Sequence, residues 1–148
     1  MTLRTDGGCF AAAVERVDHY GGVLEHPEGS HAFRRFGIGE PKWRAGWLES
    51  DYRPGWMCCV AQGNYGHRSR KLTWLYYVGP KPLDLDWSIP ACSIRLEDGF
   101  HSKAERARAV KAGRYQRLSK FQRLETPLPF AELLIGLAAQ ARSVARSA

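Results

Sequence analysis

Four cysteines in 148 residues, none in a C-x-x-C pair, leave this chain without the framework of a disulfide-stapled fold or a zinc ribbon. Cys58 and Cys59 are adjacent, a poor arrangement for two separate bridges, so a reducing, cytoplasmic setting is expected. The first residues hold no apolar leader core, and no run approaches the roughly 18 to 20 apolar residues of a membrane span. Secretion and membrane insertion are therefore not expected. Also missing are a G-x-G-x-x-G or Walker-type phosphate cradle and the G-x-S-x-G turn of a serine hydrolase. His26 and His31 with a cysteine could in principle bind zinc, but proline and glycine separate the histidines and no paired ligand motif accompanies them. No metal site is expected, and no internal repeat or low-complexity tract is present.

What remains has ordinary globular composition, 44% apolar and 25% charged, sized for a single domain over residues 1–148. Asp6 can cap a helix from about Gly8 to His19, with Phe10, Val14 and Val17 on one face and Gly21-Gly22 as its stop. Val23-Leu24-Glu25 reads as a short strand of a parallel sheet, ended by Pro27, and His31 to Phe36 as a helical turn. Gly37 to Gly55 reads as a long loop pinned by Trp43 and Trp47, with Trp56 just beyond it. Trp56–Gln62 and Leu72–Val78 have the composition of an antiparallel hairpin. Pro80, Pro82 and Pro90 make the next stretch extended and irregular. Thr126 as N-cap and Pro127 at the first helical position open an amphipathic helix carrying Phe130, Leu133, Leu134, Leu137, Ala138 and Ala141 on one face. The expected class is α/β, a partial doubly wound, Rossmann-like sheet with an antiparallel hairpin and this C-terminal helix.

The net charge of +7 is unevenly placed. Lys103, Arg106, Arg108, Lys111, Arg114, Arg117, Lys120 and Arg123 face Glu105 alone between residues 101 and 123, which accounts for the whole excess. Such a concentrated field attracts phosphate backbones without reading sequence. From Arg108 the bases recur every third residue, so on an α-helix they wind around the rod, and Gly113 weakens a continuous helix. The segment is expected to be either a solvated, mobile basic stretch or a phosphate-contacting arm.

Two further segments suggest a site. Gly21 to Pro27 is a strand that ends on the Glu25 carboxylate, and Gln62 to Lys71 is a polar, cationic loop feeding an aromatic strand. Ligands of open α/β sheets bind at the carboxyl ends of strands. There Glu25 could accept a hydrogen bond from a base amino group, and Arg68, Arg70 and Lys71 could hold phosphates. Asn64, Tyr65 and His67 could stack on or bond an unstacked base. Trp74, Leu75, Tyr76 and Tyr77 read as core.

Gly7-Gly8-Cys9-Phe10-Ala11-Ala12-Ala13, the Gly21–Pro27 run, the Gln62–Tyr76 run, and Leu118-Ser119-Lys120-x-Gln122-Arg123 followed by Thr126-Pro127 are similar to segments of phage and prophage proteins. Those proteins resemble the later half of DNA cytosine methyltransferase-like enzymes. The resemblance covers most of the chain. It implies that Glu25-His26-Pro27 corresponds to the strand-ending Glu-Asn motif facing the target cytosine, with His in place of Asn. It also implies that Arg70-Lys71-x-Thr73 is a basic strand entry contacting nucleic acid. The strand and glycine-rich turn for S-adenosylmethionine and the Pro-Cys nucleophile loop are not matched, and Cys9 lacks the Pro-Cys context. The expectation is a DNA-binding, methyltransferase-like protein of a phage or mobile element, inactive alone. S-adenosylmethionine would enter only through a partner supplying that half. The alternative is a non-catalytic accessory protein for counter-defence, binding a host protein or nucleoprotein through its tryptophan-rich loop and basic arm.

Overall fold

The structure, a computed structural model, describes residues 8–91, 102–113 and 118–145, with side chains through 142. The expected hairpin forms the centre of the sheet: β3 (Trp56–Ala61) pairs antiparallel with β4 (Leu72–Val78), Cys58 opposite Leu75 and Val60 opposite Thr73. Outside β4 lies β1 (Gly22–Pro27), with Glu25 opposite Leu75 and Pro27 opposite Thr73. Outside β3 lies the two-residue β2 (Leu48–Glu49). The order is β1-β4-β3-β2.

Here the parallel expectation for the Val23-Leu24-Glu25 strand fails, because β1 and β4 are antiparallel. All three strand pairings of this sheet are antiparallel, so the class it defines is mixed α/β without a doubly wound sheet among the described residues. The physical reason is that so short an apolar run, Val23-Leu24, reports only that it packs against neighbours; it does not encode which way the neighbouring strand runs.

Side chains alternate across the strands, and helices cover both faces. Met57, Cys59, Trp74 and Tyr76 point to one face and pack with Phe10 and Val14 of α1 (Cys9–Tyr20) and with Phe33 of α2 (His31–Arg35). Cys58, Val60, Leu75 and Tyr77 point to the other and pack against Phe130, Leu137 and Ala141 of α5 (Leu128–Ala145). Asp6 lies outside the described residues; α1 begins after Gly8, in a left-handed conformation, with no side-chain cap. Gly21, at φ 75, turns α1 directly into β1. α5 begins one residue later than expected, and the Pro127 carbonyl accepts from the N–H groups of Phe130 and Ala131.

The Gly37–Gly55 connection is ordered around its tryptophans. Trp43 bridges to Cys59, and the Trp47 indole N–H donates to the Leu83 carbonyl at 2.9 Å. The basic segment is two short helices, α3 (Lys103–Lys111) and α4 (Lys120–Leu124), capped by the Ser102 and Ser119 hydroxyls. α3 buries none of its residues and stops before Gly113, which takes φ 68, so the continuous cationic rod does not form. No helix among the described residues is long and apolar enough to cross a membrane.

Candidate functional site

β1 delivers Glu25 to its carboxyl end on the α5 side of the sheet, beyond the part that α5 covers. β4 starts beside it, and α4 closes the remaining side. The result is an open cleft of about 490 Å³ lined by Glu25, Pro27, Lys71, Leu72, Thr73, Lys120, Arg123, Leu124 and Thr126. An acid and three cations thus meet over apolar walls, although Glu25 and Lys120 are 95 positions apart in the chain.

Lys71 organises this cleft. Its backbone takes φ 40, uncommon for a residue with a side chain, where the loop turns into β4. Its ammonium donates to the Glu125 carbonyl at 2.8 Å, tying down the C-terminal end of α4. Partial burial lowers its pKa, and the Glu25 and Glu125 carboxylates pull the other way. Although Glu25 is exposed as a residue, partial burial in the cleft raises its pKa above 4.5, against the lowering influence of Lys71 and His26. Its carboxyl group is therefore easier to protonate than a free glutamate and suited to exchanging hydrogen bonds with a polar ligand edge.

The other expected residues divide sharply. Lys120 and Arg123 are solvent-exposed on α4 and line the cleft. Arg68 is exposed but does not line it. Arg70 lays its guanidinium over the Trp43 ring at 4.6 Å, a cation–π contact on the α1 side of the sheet. Thr73 touches the cleft but is buried, its hydroxyl accepting from the Gln62 amide at 2.8 Å and donating to the Lys71 carbonyl at 3.3 Å. That leaves it little capacity for a phosphate. Arg114 and Arg117 lie outside the described residues.

The stacking roles expected of the loop are corrected. His67 is buried, and its Nδ1 accepts from the Ser69 N–H at 3.0 Å. Burial and the neighbouring Lys71 ammonium lower its pKa, which keeps the imidazole neutral. Asn64 donates to the Ser88 carbonyl at 2.8 Å, and Tyr65 packs on Phe130 while its hydroxyl accepts from the Asp86 N–H. These three residues shape the loop rather than face a ligand. The tryptophan-rich stretch is likewise committed internally: Trp43, Trp47 and Trp56 are half-buried and pack against the two cores.

What sequence reasoning missed is the apolar part of the site. Pro27, Leu72 and Leu124 form its walls. The available signal was Phe121 and Leu124, apolar residues three apart within the most cationic segment of the chain.

The described residues contain no group of His, Cys, Asp or Glu arranged to hold a metal ion. β1 leads into α2 through Glu28-Gly29-Ser30, with a single glycine, and the Ser30 hydroxyl already accepts from the Phe33 N–H. Compared with family models, curated proteins and solved structures, the chain matches none.

Proposed function

We propose that the chain binds DNA through the Glu25 cleft, as the target-recognition part of a phage methyltransferase-like system, and transfers no methyl group by itself. The observation that carries this reading is the convergence of Glu25, Lys71, Lys120 and Arg123 on one cleft with apolar walls. In this reading Lys120 and Arg123 meet backbone phosphates, while Glu25 accepts from an amino group on a base edge. α3 adds exposed cations that raise affinity without reading sequence.

The relationship to a doubly wound fold belongs to the same proposal. β1 and β3 run in one direction, β4 and β2 in the other, so a parallel sheet would have to be built by strands added outside those described. The outer edge of β1 has no strand beside it among the described residues, and further parallel strands from a partner would continue there.

The test is DNA binding measured by fluorescence anisotropy, with methyl transfer from labelled cofactor followed in parallel. Replacing Lys120 and Arg123 together by alanine is expected to weaken binding and flatten its salt dependence, with no transfer at any stage. Salt-independent binding, or affinity unchanged in the double variant, would overturn the cleft assignment; turnover by the chain alone would overturn the inactive-alone part. The alternative, an accessory protein, would use the basic arm and the tryptophan-rich stretch, whose Trp43, Trp47 and Trp56 are half-buried against the two cores; a host protein that co-purifies, with no salt-dependent DNA binding, would favour it.

A further inference from the structure

We infer that α4 is a stacking platform, with Phe121 as its ring, that makes the cleft selective for unpaired bases over intact duplex. This deepens the proposed function and rests on it. α4 is one short helix held from several sides. Ser119 and Gln122 form a reciprocal capping box, the Ser119 N–H donating to the Gln122 side chain at 2.8 Å. Leu118 before it and Pro127 after it are buried, and Lys71 holds the Glu125 carbonyl.

This anchoring contrasts with what the helix displays. Phe121 is 86% exposed and Leu124 is 67% exposed. The two are three residues apart, hence neighbours on the helix surface, and Leu124 also lines the cleft with Lys120 and Arg123. A lone surface apolar residue needs no explanation, but here a phenylalanine and a leucine stand on a fixed support between two cations. The ligand that meets such a surface is apolar on its face and anionic along its backbone. An unpaired nucleotide has both properties, whereas a duplex hides its base faces within the stack. The cleft beside Phe121 then takes the sugar-phosphate and the polar edge of a neighbouring base.

The experiment measures binding of the full chain to single-stranded and duplex oligonucleotides of one sequence, at one salt concentration. Single-stranded DNA is expected to bind more tightly. Phe121→Ala is expected to weaken that binding by roughly 5- to 150-fold, the loss of one base stack, while duplex binding stays nearly unchanged. Phe121→Trp is expected to restore the preference. Because Phe121 is exposed, these variants should fold, which circular dichroism checks. A Phe121→Ala protein that keeps its single-strand affinity, or loses both affinities equally, overturns the platform. If Lys120→Ala with Arg123→Ala still abolishes salt-dependent binding in that case, the cleft stands and the platform alone falls. A wild-type chain that binds neither oligonucleotide overturns both.

Discussion

His67 and Lys71 show how residues of one loop can do structural work that the sequence does not announce. Both belong to a polar, cationic run that suggests ligand contact, yet His67 is buried and Lys71 reaches across 54 positions to hold the Glu125 carbonyl. Nothing local in the sequence announces a partner that distant. The His67 environment predicts a pH effect whose sign is fixed. Its folded-state pKa lies below 6.5, from burial first and the Lys71 charge second, so the unfolded chain takes the proton more readily. The stability this neutral imidazole supports is present above that value and is lost as the pH falls toward the depressed folded pKa. Denaturant midpoints should therefore decline on acidification below the ordinary histidine range. In His67→Gln that part of the slope should disappear; an unchanged slope would mean that other groups govern it.

Secondary elements were legible where the local pattern was strong and ambiguous where distant pairing decides. The β3–β4 hairpin stands within a residue of its expected limits, and α5 starts one residue late, because hairpin composition and an amphipathic stripe are local signals. The direction of β1 was not legible, since its partner β4 lies about fifty residues along the chain and no local signal fixes how the two pair. α4 was hidden inside a charge count that treated residues 101–123 as one object. On α5, the shared face is also graded in depth: Phe130 and Leu137 are buried, while Leu134 is half-buried. Leu137→Ala is accordingly expected to cost about 2 to 5 kcal/mol, and Leu134→Ala distinctly less, in urea or thermal unfolding. Equal losses would show that the helix sits rotated from this arrangement.

The whole molecule combines a layered core with a basic segment concentrated between residues 101 and 123. α3 and α4 carry exposed cations, and Lys120 and Arg123 of α4 line the described cleft, so part of the basic segment meets the pocket. That meeting was only half visible in the sequence: the charge and the acid could each be read, but not the packing that sets α4 beside Glu25. If the site works as proposed, the logarithm of DNA affinity should fall with the logarithm of salt at a slope near −0.9 per phosphate neutralised in duplex and about −0.7 in single strands. Each cleft cation removed should shallow the slope by about one phosphate's share. An identical slope after Lys120→Ala would place the contacts elsewhere on the surface.

The adjacent pair at the middle of β3 gives the two halves of the core separate reporters. Cys58 lies under α5 and Cys59 under α1 and α2, one residue apart but on opposite sides of the sheet. Burial pushes both thiols up, Cys59 to about 12, so neither is reactive in the closed molecule. In chains retaining only one of them, the rate of alkylation would time the lifting of one helical layer independently of the other. Matching rates would mean that both layers come off together, in a single cooperative event.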